Sequence, residues 1–155
     1  MHKLYLTPEE CSVISNSKQI IDAFGGFPAM DNAEISHVSV GPSTEAGRYD
    51  CSIEFNVEKW AERNAVEQQK TGIQYVTITF SGCLDFEISG DAFLTGCGEI
   101  KFGDKPDKRD MHQDDLPEED SGPARPFCTF YARNGRGLCV WFEEETCRII
   151  ASARN

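Results

Sequence analysis

The chain has 155 residues, 39% of them hydrophobic and 26% charged, which is typical of a single soluble globular domain, here 1–155. Acidic residues number 26 and basic residues 15, giving a formal net charge of −11. Such a surface repels nucleic-acid phosphates and anionic lipid headgroups, so it disfavours direct binding to DNA, RNA or membranes. It favours a basic protein partner, although an acidic excess also serves solubility alone.

The N-terminal residues 1–13, MHKLYLTPEECSV, contain a polar break at residues 7–10 and no long apolar core. A secretory signal needs such a core, so none is expected here. No other apolar run approaches the roughly 18 residues that span a membrane. The sequence therefore predicts a cytoplasmic protein.

Residues 16–24, NSKQIIDAF, are predicted to form a short helix. Asn16 or Ser17 can cap its start, and Gly25 with Gly26 can end it. Its apolar face consists of Ile20, Ile21 and Phe24. This helix is the only one that the pattern predicts with a complete start and stop, although a helical turn is also compatible with the polar interval at 59–72.

The remainder of the chain is predicted to be mostly strand. The predicted strands are 31–40, 48–58, two within 73–93 that flank a two-residue turn at Ser81 and Gly82, 93–102, two that flank Asn134 and Gly135, and one around 147–152. The clearest alternation is at 48–58, where Cys51, Ile53 and Phe55 share a face. Asn-Gly is the preferred dipeptide of a tight hairpin turn. We therefore expect an α+β domain, with one N-terminal helix packed on a mostly antiparallel sheet of about seven or eight strands in hairpin order.

Residues 103–124 differ from the rest because they hold three prolines and no aromatic residue. That composition predicts a long, mobile loop. Its acidic cluster comprises Asp114, Asp115, Glu118, Glu119 and Asp120. The cluster is either a solvated, self-repelling run or a flexible acidic arm that docks on a basic partner.

Motifs for catalysis, metal binding and cofactor binding are missing from the sequence. The seven cysteines contain no C-x-x-C pair, so reduced, structural thiols are expected rather than disulfides or a zinc site. There is no glycine-rich phosphate loop before a helix and no G-x-S-x-G elbow. His37 lies near Glu34 in sequence, but on a regular strand their side chains point to opposite faces. The sequence thus predicts no enzyme, no metal and no cofactor.

Two tryptophans are candidate interface anchors, a role in which tryptophan is enriched. Trp60 lies in the polar stretch VEKWAERN, which offers it little apparent core. Trp141 alternates with inward-facing neighbours in LCVWFEE and so points to the other face of its strand. Trp60 and the five acids of 103–124 are the predicted partner-binding residues. The alternative for both tryptophans is a second, covered face of the sheet.

The segment FGGFPAMDNAEI joins the predicted helix to the first long strand. On physical grounds it is a stiff corner, since Gly25 and Gly26 stop the helix and Pro28 keeps Phe27 extended. It also resembles F-G-x-W-P-S-F-H-D-A-E, the signature of the immunity protein 50 family of bacterial polymorphic-toxin systems. The residues that carry the resemblance are Phe24, Gly25, Phe27, Pro28, Asp31 and Glu34. The chain departs from the signature at Phe27, at Met30 and at the additional Asn32.

The resemblance implies a non-enzymatic immunity protein that binds and neutralises a cognate toxin domain. An acidic inhibitor suits a basic toxin such as a nuclease, because it can cover the cleft by mimicking phosphates. A different interpretation is a general protein-interaction or small-ligand-binding β domain without a toxin partner. An enzyme with scattered catalytic residues is a third.

Overall fold

A computed structural model describes residues 4–31, 33–67, 72–88, 100–103, 127–131, 137–143 and 145–155. Within these ranges the chain forms three short helices and nine strands, and the strands form two mostly antiparallel sheets. The helices are α1 (Pro8–Ser12), α2 (Lys18–Phe24) and α3 (Val57–Arg63). The strands are β1 (Ile14–Ser15), β2 (Glu34–Pro42), β3 (Tyr49–Asn56), β4 (Tyr75–Cys83), β5 (Asp85–Ile88), β6 (Lys101–Gly103), β7 (Phe127–Tyr131), β8 (Gly137–Trp141) and β9 (Arg148–Arg154). The α+β class and the mostly antiparallel pairing are confirmed.

The larger sheet has the order β1-β9-β4-β3-β2, and only the β1–β9 pair is parallel. The predicted alternation of β3 is confirmed, because Cys51, Ile53 and Phe55 are fully buried. Their neighbours on β4 are buried too, with Ile53 opposite Ile78 and Phe55 opposite Val76. The side chains on one face of this sheet therefore form part of the hydrophobic core.

The prediction of one helix is wrong, because α1 and α3 also form. Helix α1 begins with a capping box, in which the Thr7 hydroxyl accepts from the Glu10 backbone N–H and the Glu10 carboxylate accepts from the Thr7 N–H. Pro8 occupies its first turn, where no N–H is needed. Asn56 caps α3 by accepting from the Lys59 N–H at 3.0 Å, so β3 ends one residue before Val57.

The predicted two-residue turn at Ser81 and Gly82 is also wrong, since β4 continues through both residues to Cys83. Gly82, at φ +87°, is an additional residue in β4 where Asp50 pairs with Ser81 and Tyr49 with Cys83. Such a bulge needs the left-handed conformation that glycine adopts readily. The Asp50 carboxylate accepts from the Gly82 N–H at 3.0 Å. Beyond Leu84 the chain enters the second sheet instead of folding back on β4.

The second sheet has the order β5-β8-β7-β6. Strands β7 and β8 pair antiparallel, with Tyr131 opposite Gly137, as predicted for a hairpin around Asn134 and Gly135. That dipeptide itself lies outside the described residues. The acidic segment 103–124 also lies outside them apart from Gly103, which ends β6.

The stretch after α2 is a corner built against the N-terminal residues 4–6. The Leu6 N–H donates to the Phe27 carbonyl at 2.8 Å, and the Ala29 N–H donates to the Leu4 carbonyl at 3.0 Å. A Cβ on Gly26 would lie 2.6 Å from the Tyr5 ring, so only glycine lets the two segments approach so closely. This close approach is the structural reason for the second glycine of FGGF.

Among the described residues, no helix combines the length and apolar character needed to cross a membrane.

Candidate functional site

Trp60 does not lie on the surface, so its predicted role as an exposed anchor is wrong. Its side chain is 0% exposed and packs edge-on against two rings, with centroid distances of 6.0 Å to Tyr5 and 5.7 Å to Phe24. Helix α3 presents Val57, Trp60 and Ala61 to the core. The polar residues around Trp60 occupy the opposite face of the helix, which hid this pattern in the sequence.

The other predicted partner-binding residues, the five acids of 103–124, lie outside the described residues. The aromatic surface that the structure does describe is elsewhere, where the two sheets meet. We call it the Tyr49 surface, and it consists of Val40, Pro42, Tyr49, Phe86 and Ile88. Three of these side chains are the exposed apolar groups Val40 (38% exposed), Tyr49 (41%) and Ile88 (37%).

The position of Tyr49 follows from the register of the larger sheet. Tyr49 lies two residues before Cys51 and so points to the core face, but beyond the end of the core. Pro42 pairs with Tyr49, and Val40 pairs with Cys51. On this face of the sheet, Cys51 is buried, but Val40 and Tyr49 at the end of the strands remain in contact with solvent.

Phe86 reaches Tyr49 from the second sheet. The two ring centroids are 5.7 Å apart and the ring planes meet at 79°, an edge-to-face geometry worth about 0.5–1.5 kcal/mol beyond area burial. Each ring restricts the motion of the other. Binding a partner therefore costs less side-chain entropy at Tyr49 than at an isolated exposed tyrosine.

Two exposed acidic residues lie near Tyr49 and Phe86 in the sequence. Glu45 is exposed in the turn between β2 and β3, and Asp85 is exposed on β5, where it directly precedes Phe86. The basic side chain nearest in sequence, Arg48, forms an ion pair with Glu143 at 3.4 Å. The segments that carry the aromatic pair therefore also carry exposed carboxylates, a composition suited to a partner with basic side chains around an apolar patch.

The face of the larger sheet that points away from the core carries a polar network. Arg154 donates two hydrogen bonds of 2.9 Å to the Glu54 carboxylate, and its guanidinium lies 4.1 Å from the centre of the Tyr75 ring. The Arg154 bonds, together with the Ser36 hydroxyl, hold the pKa of Glu54 below its ordinary value. Mutual satisfaction of these groups fits a structural role for the network.

Three buried cysteines bear on the question of catalysis. Cys51, Cys83 and Cys147 are free thiols, and burial raises their pKa values to about 12, 11 and 12. At neutral pH they are protonated and therefore poor nucleophiles. The expectation of reduced, buried thiols is confirmed for these three.

These thiols are expected to destabilise the fold as pH rises above their unfolded pKa of 9.0. The unfolded chain then releases protons that the folded chain keeps, so the free energy of unfolding falls, by about 1.4 kcal/mol per pH unit for each thiol. Urea unfolding at about pH 8 and pH 10 measures this drop. Cys147→Ala should reduce the drop by about a third, and an unchanged drop would contradict the buried-thiol assignment.

The family-motif residues tie α2 and α3 to the sheet. Phe24 and Phe27 are buried, and Gly25 ends α2 in the left-handed conformation, as predicted. The Asp31 carbonyl accepts from the Asn64 side chain at 3.0 Å. Glu34, the motif residue that sequence reasoning explained least, binds Lys59 at 3.2 Å and Arg63 at 2.8 Å on α3.

The motif therefore acts as a structural corner that connects α2 and α3 to the sheet. His37, which directly follows the register shift of β2, is exposed and pairs with Glu54 on the neighbouring strand β3. In the described ranges, no three His, Cys, Asp or Glu side chains are arranged to hold a metal ion.

Sequence reasoning did not single out the Tyr49 surface, although part of its signal was present. The alternation of β3 places Tyr49 on the same face as Cys51, and the same two-residue period places Phe86 and Ile88 together on one face. The sequence pattern does not predict that these two segments contact each other, because Tyr49 and Phe86 belong to different sheets.

Comparison with models of known protein families, with curated proteins and with solved structures found no match to this chain.

Proposed function

We propose that this chain is a non-enzymatic immunity protein that binds a basic toxin domain and blocks its active site. The observation that carries the proposal is the Tyr49–Phe86 pair, an exposed aromatic contact of 5.7 Å on a chain of net charge −11. Tyrosine is enriched among the residues that contribute most of the binding energy at protein interfaces. The resemblance of FGGFPAMDNAEI to the immunity protein 50 signature supplies the class of partner.

In this mechanism charge and aromatic contact have separate tasks. The acidic excess attracts the basic toxin and speeds encounter, in a way that added salt weakens. The Tyr49 surface is then buried against an apolar patch beside the toxin's cleft, which slows dissociation. Asp85 and Glu45 pair with basic side chains at the rim, and the acids of 103–124 are a second candidate contact. The protein acts in the cytoplasm of the cell that makes the toxin.

The proposal is tested by co-expression. The C-terminal domain encoded by the adjacent upstream reading frame is expressed in a sensitive host, with and without this chain. We expect growth to collapse with that domain alone and to recover when the chain is present. A neighbour that is harmless, or that kills in both cases, would overturn the toxin partner and favour the general interaction domain.

A second arm ties survival to the Tyr49 surface. Tyr49→Ala should reduce protection of the host, whereas Val13→Ala should not. Val13 is a matched control because its side chain is 38% exposed and lies at the end of α1, outside the Tyr49 surface.

A further inference from the structure

Strand β2 is the terminal strand of the larger sheet. Within the described part of the chain it pairs only with β3. Every second residue of such a strand directs its N–H and C=O groups away from the sheet, where they can pair with another strand. Proteins usually protect such an edge with charged side chains, prolines or bulges.

The protection of β2 is confined to its two ends. A register shift between Ile35 and His37 bends its start, and Pro42 removes an N–H at its end. No Asp, Glu, Lys or Arg occurs within 35–42, ISHVSVGP, and its one histidine, His37, precedes residues 38–41. Residues 38–41, between the bulge and the proline, thus form an edge that has no Asp, Glu, Lys or Arg side chain to hinder pairing with another strand.

The two faces of this edge differ chemically. On the core face, Val38 and Val40 pair with Ile53 and Cys51, and Val40 continues into the Tyr49 surface. On the other face, Ser39 is exposed and pairs with Ser52. Two carboxylates belong to this second face, one strand further into the sheet: that of Glu54 is already paired with Arg154, whereas that of Asp50 accepts from the uncharged Gly82 N–H and Ser81 hydroxyl. A strand added here would place apolar side chains on one face and basic or hydroxyl side chains on the other.

We infer that residues 38–41 of β2 accept an extended segment of a basic protein partner as an additional strand. The inference rests on the proposed function, of which it names the mode of binding. Main-chain hydrogen bonds would supply affinity, and the alternation of apolar and basic side chains would supply specificity. A second copy of this chain is disfavoured as the occupant, because each copy carries a net charge of −11 and the two repel.

Amide hydrogen exchange of this chain, alone and with the toxin domain from the adjacent reading frame, tests the inference. In the complex, alternate amides within 38–41 should become protected, while the amides of β3 are protected in both states. A complex that leaves the β2 amides exchanging as before would overturn the added strand and spare the proposed function. No complex at all would overturn both.

Proline substitutions provide a second test, with matched alanine controls. Neighbouring residues of a strand direct their N–H groups to opposite sides, so Ser39→Pro and Val40→Pro cannot both remove a bond to β3. The variant that keeps the parent's unfolding midpoint has lost the outward N–H, and it should bind the toxin domain about ten-fold more weakly. The corresponding Ser39→Ala or Val40→Ala keeps the N–H and should bind more tightly than its proline counterpart.

Equal affinity of the stable proline variant and its alanine control would overturn the inference. If both proline variants unfold, the exchange measurement decides. Sedimentation of the free chain tests the alternative occupant: a dimer with protected β2 amides would assign the edge to a second copy and overturn the basic partner.

Discussion

Replacement of Trp60 by alanine is expected to lower the free energy of unfolding by about 3–5 kcal/mol. The indole is 0% exposed and contacts both Tyr5, from the N-terminal segment, and Phe24, at the end of α2. Its loss leaves a cavity that these rigid neighbours cannot fill. Urea unfolding followed by circular dichroism measures the change.

Trp60→Phe is the matched control for this prediction. The buried Trp60 Nε1 has no hydrogen-bond acceptor among the described residues, so phenylalanine removes that polar atom while keeping an aromatic ring in place. We expect it to cost less than half of the alanine loss. If Trp60→Ala instead left stability unchanged and weakened toxin binding, the indole would be an exposed anchor and its buried position would be wrong.

Replacement of Tyr49 by alanine is expected to weaken binding of the proposed toxin partner by about 30-fold or more, which corresponds to about 2 kcal/mol. Tyr49 is 41% exposed and is held by Phe86, so its ring can enter a pocket of the partner at little entropic cost. Fold stability should fall by only about 1–2 kcal/mol, since the ring contributes one aromatic pair and is partly exposed. Surface plasmon resonance gives the affinity, and thermal unfolding gives the stability.

The rate constants separate the aromatic contribution from the electrostatic one. Tyr49→Ala should raise the dissociation rate and leave the salt dependence of association unchanged. Phe86→Ala should have a smaller effect of the same kind, because it loosens Tyr49. An affinity for Tyr49→Ala equal to that of Val13→Ala would show that the partner binds elsewhere.

Local patterns predicted the parts of the fold that depend on neighbouring residues. The alternation in β3 predicted the buried face of Cys51, Ile53 and Phe55, and Gly25 predicted the end of α2. The same local reasoning failed at Trp60, since Val57 was assigned to the preceding strand and the polar composition of 59–72 concealed its helical spacing to Trp60 and Ala61. It failed again at Gly82, where a glycine that resembles a turn residue is a bulge within one continuous strand.

The candidate site shows the same division. The corner at FGGF could be predicted as a corner, because glycine and proline act through their own backbone. Its contacts with Tyr5 could not, and neither could the ion pairs of Glu34 with Lys59 and Arg63. These residues are distant from each other in sequence, and the conformational preferences of single residues do not specify which distant side chains come into contact.

By itself, the sequence determined the charge of −11, the alternation of β3 and the end of α2 at Gly25, since each depends on residue identity or on near neighbours. The tertiary structure alone decided that β1 pairs with β9, that β2 is left at an edge and that Tyr49 meets Phe86. These outcomes depend on which distant segments bury one another's apolar faces. Burial is a property of the whole packed chain, so exposed and buried aromatics are distinguished only once the sheets are assembled.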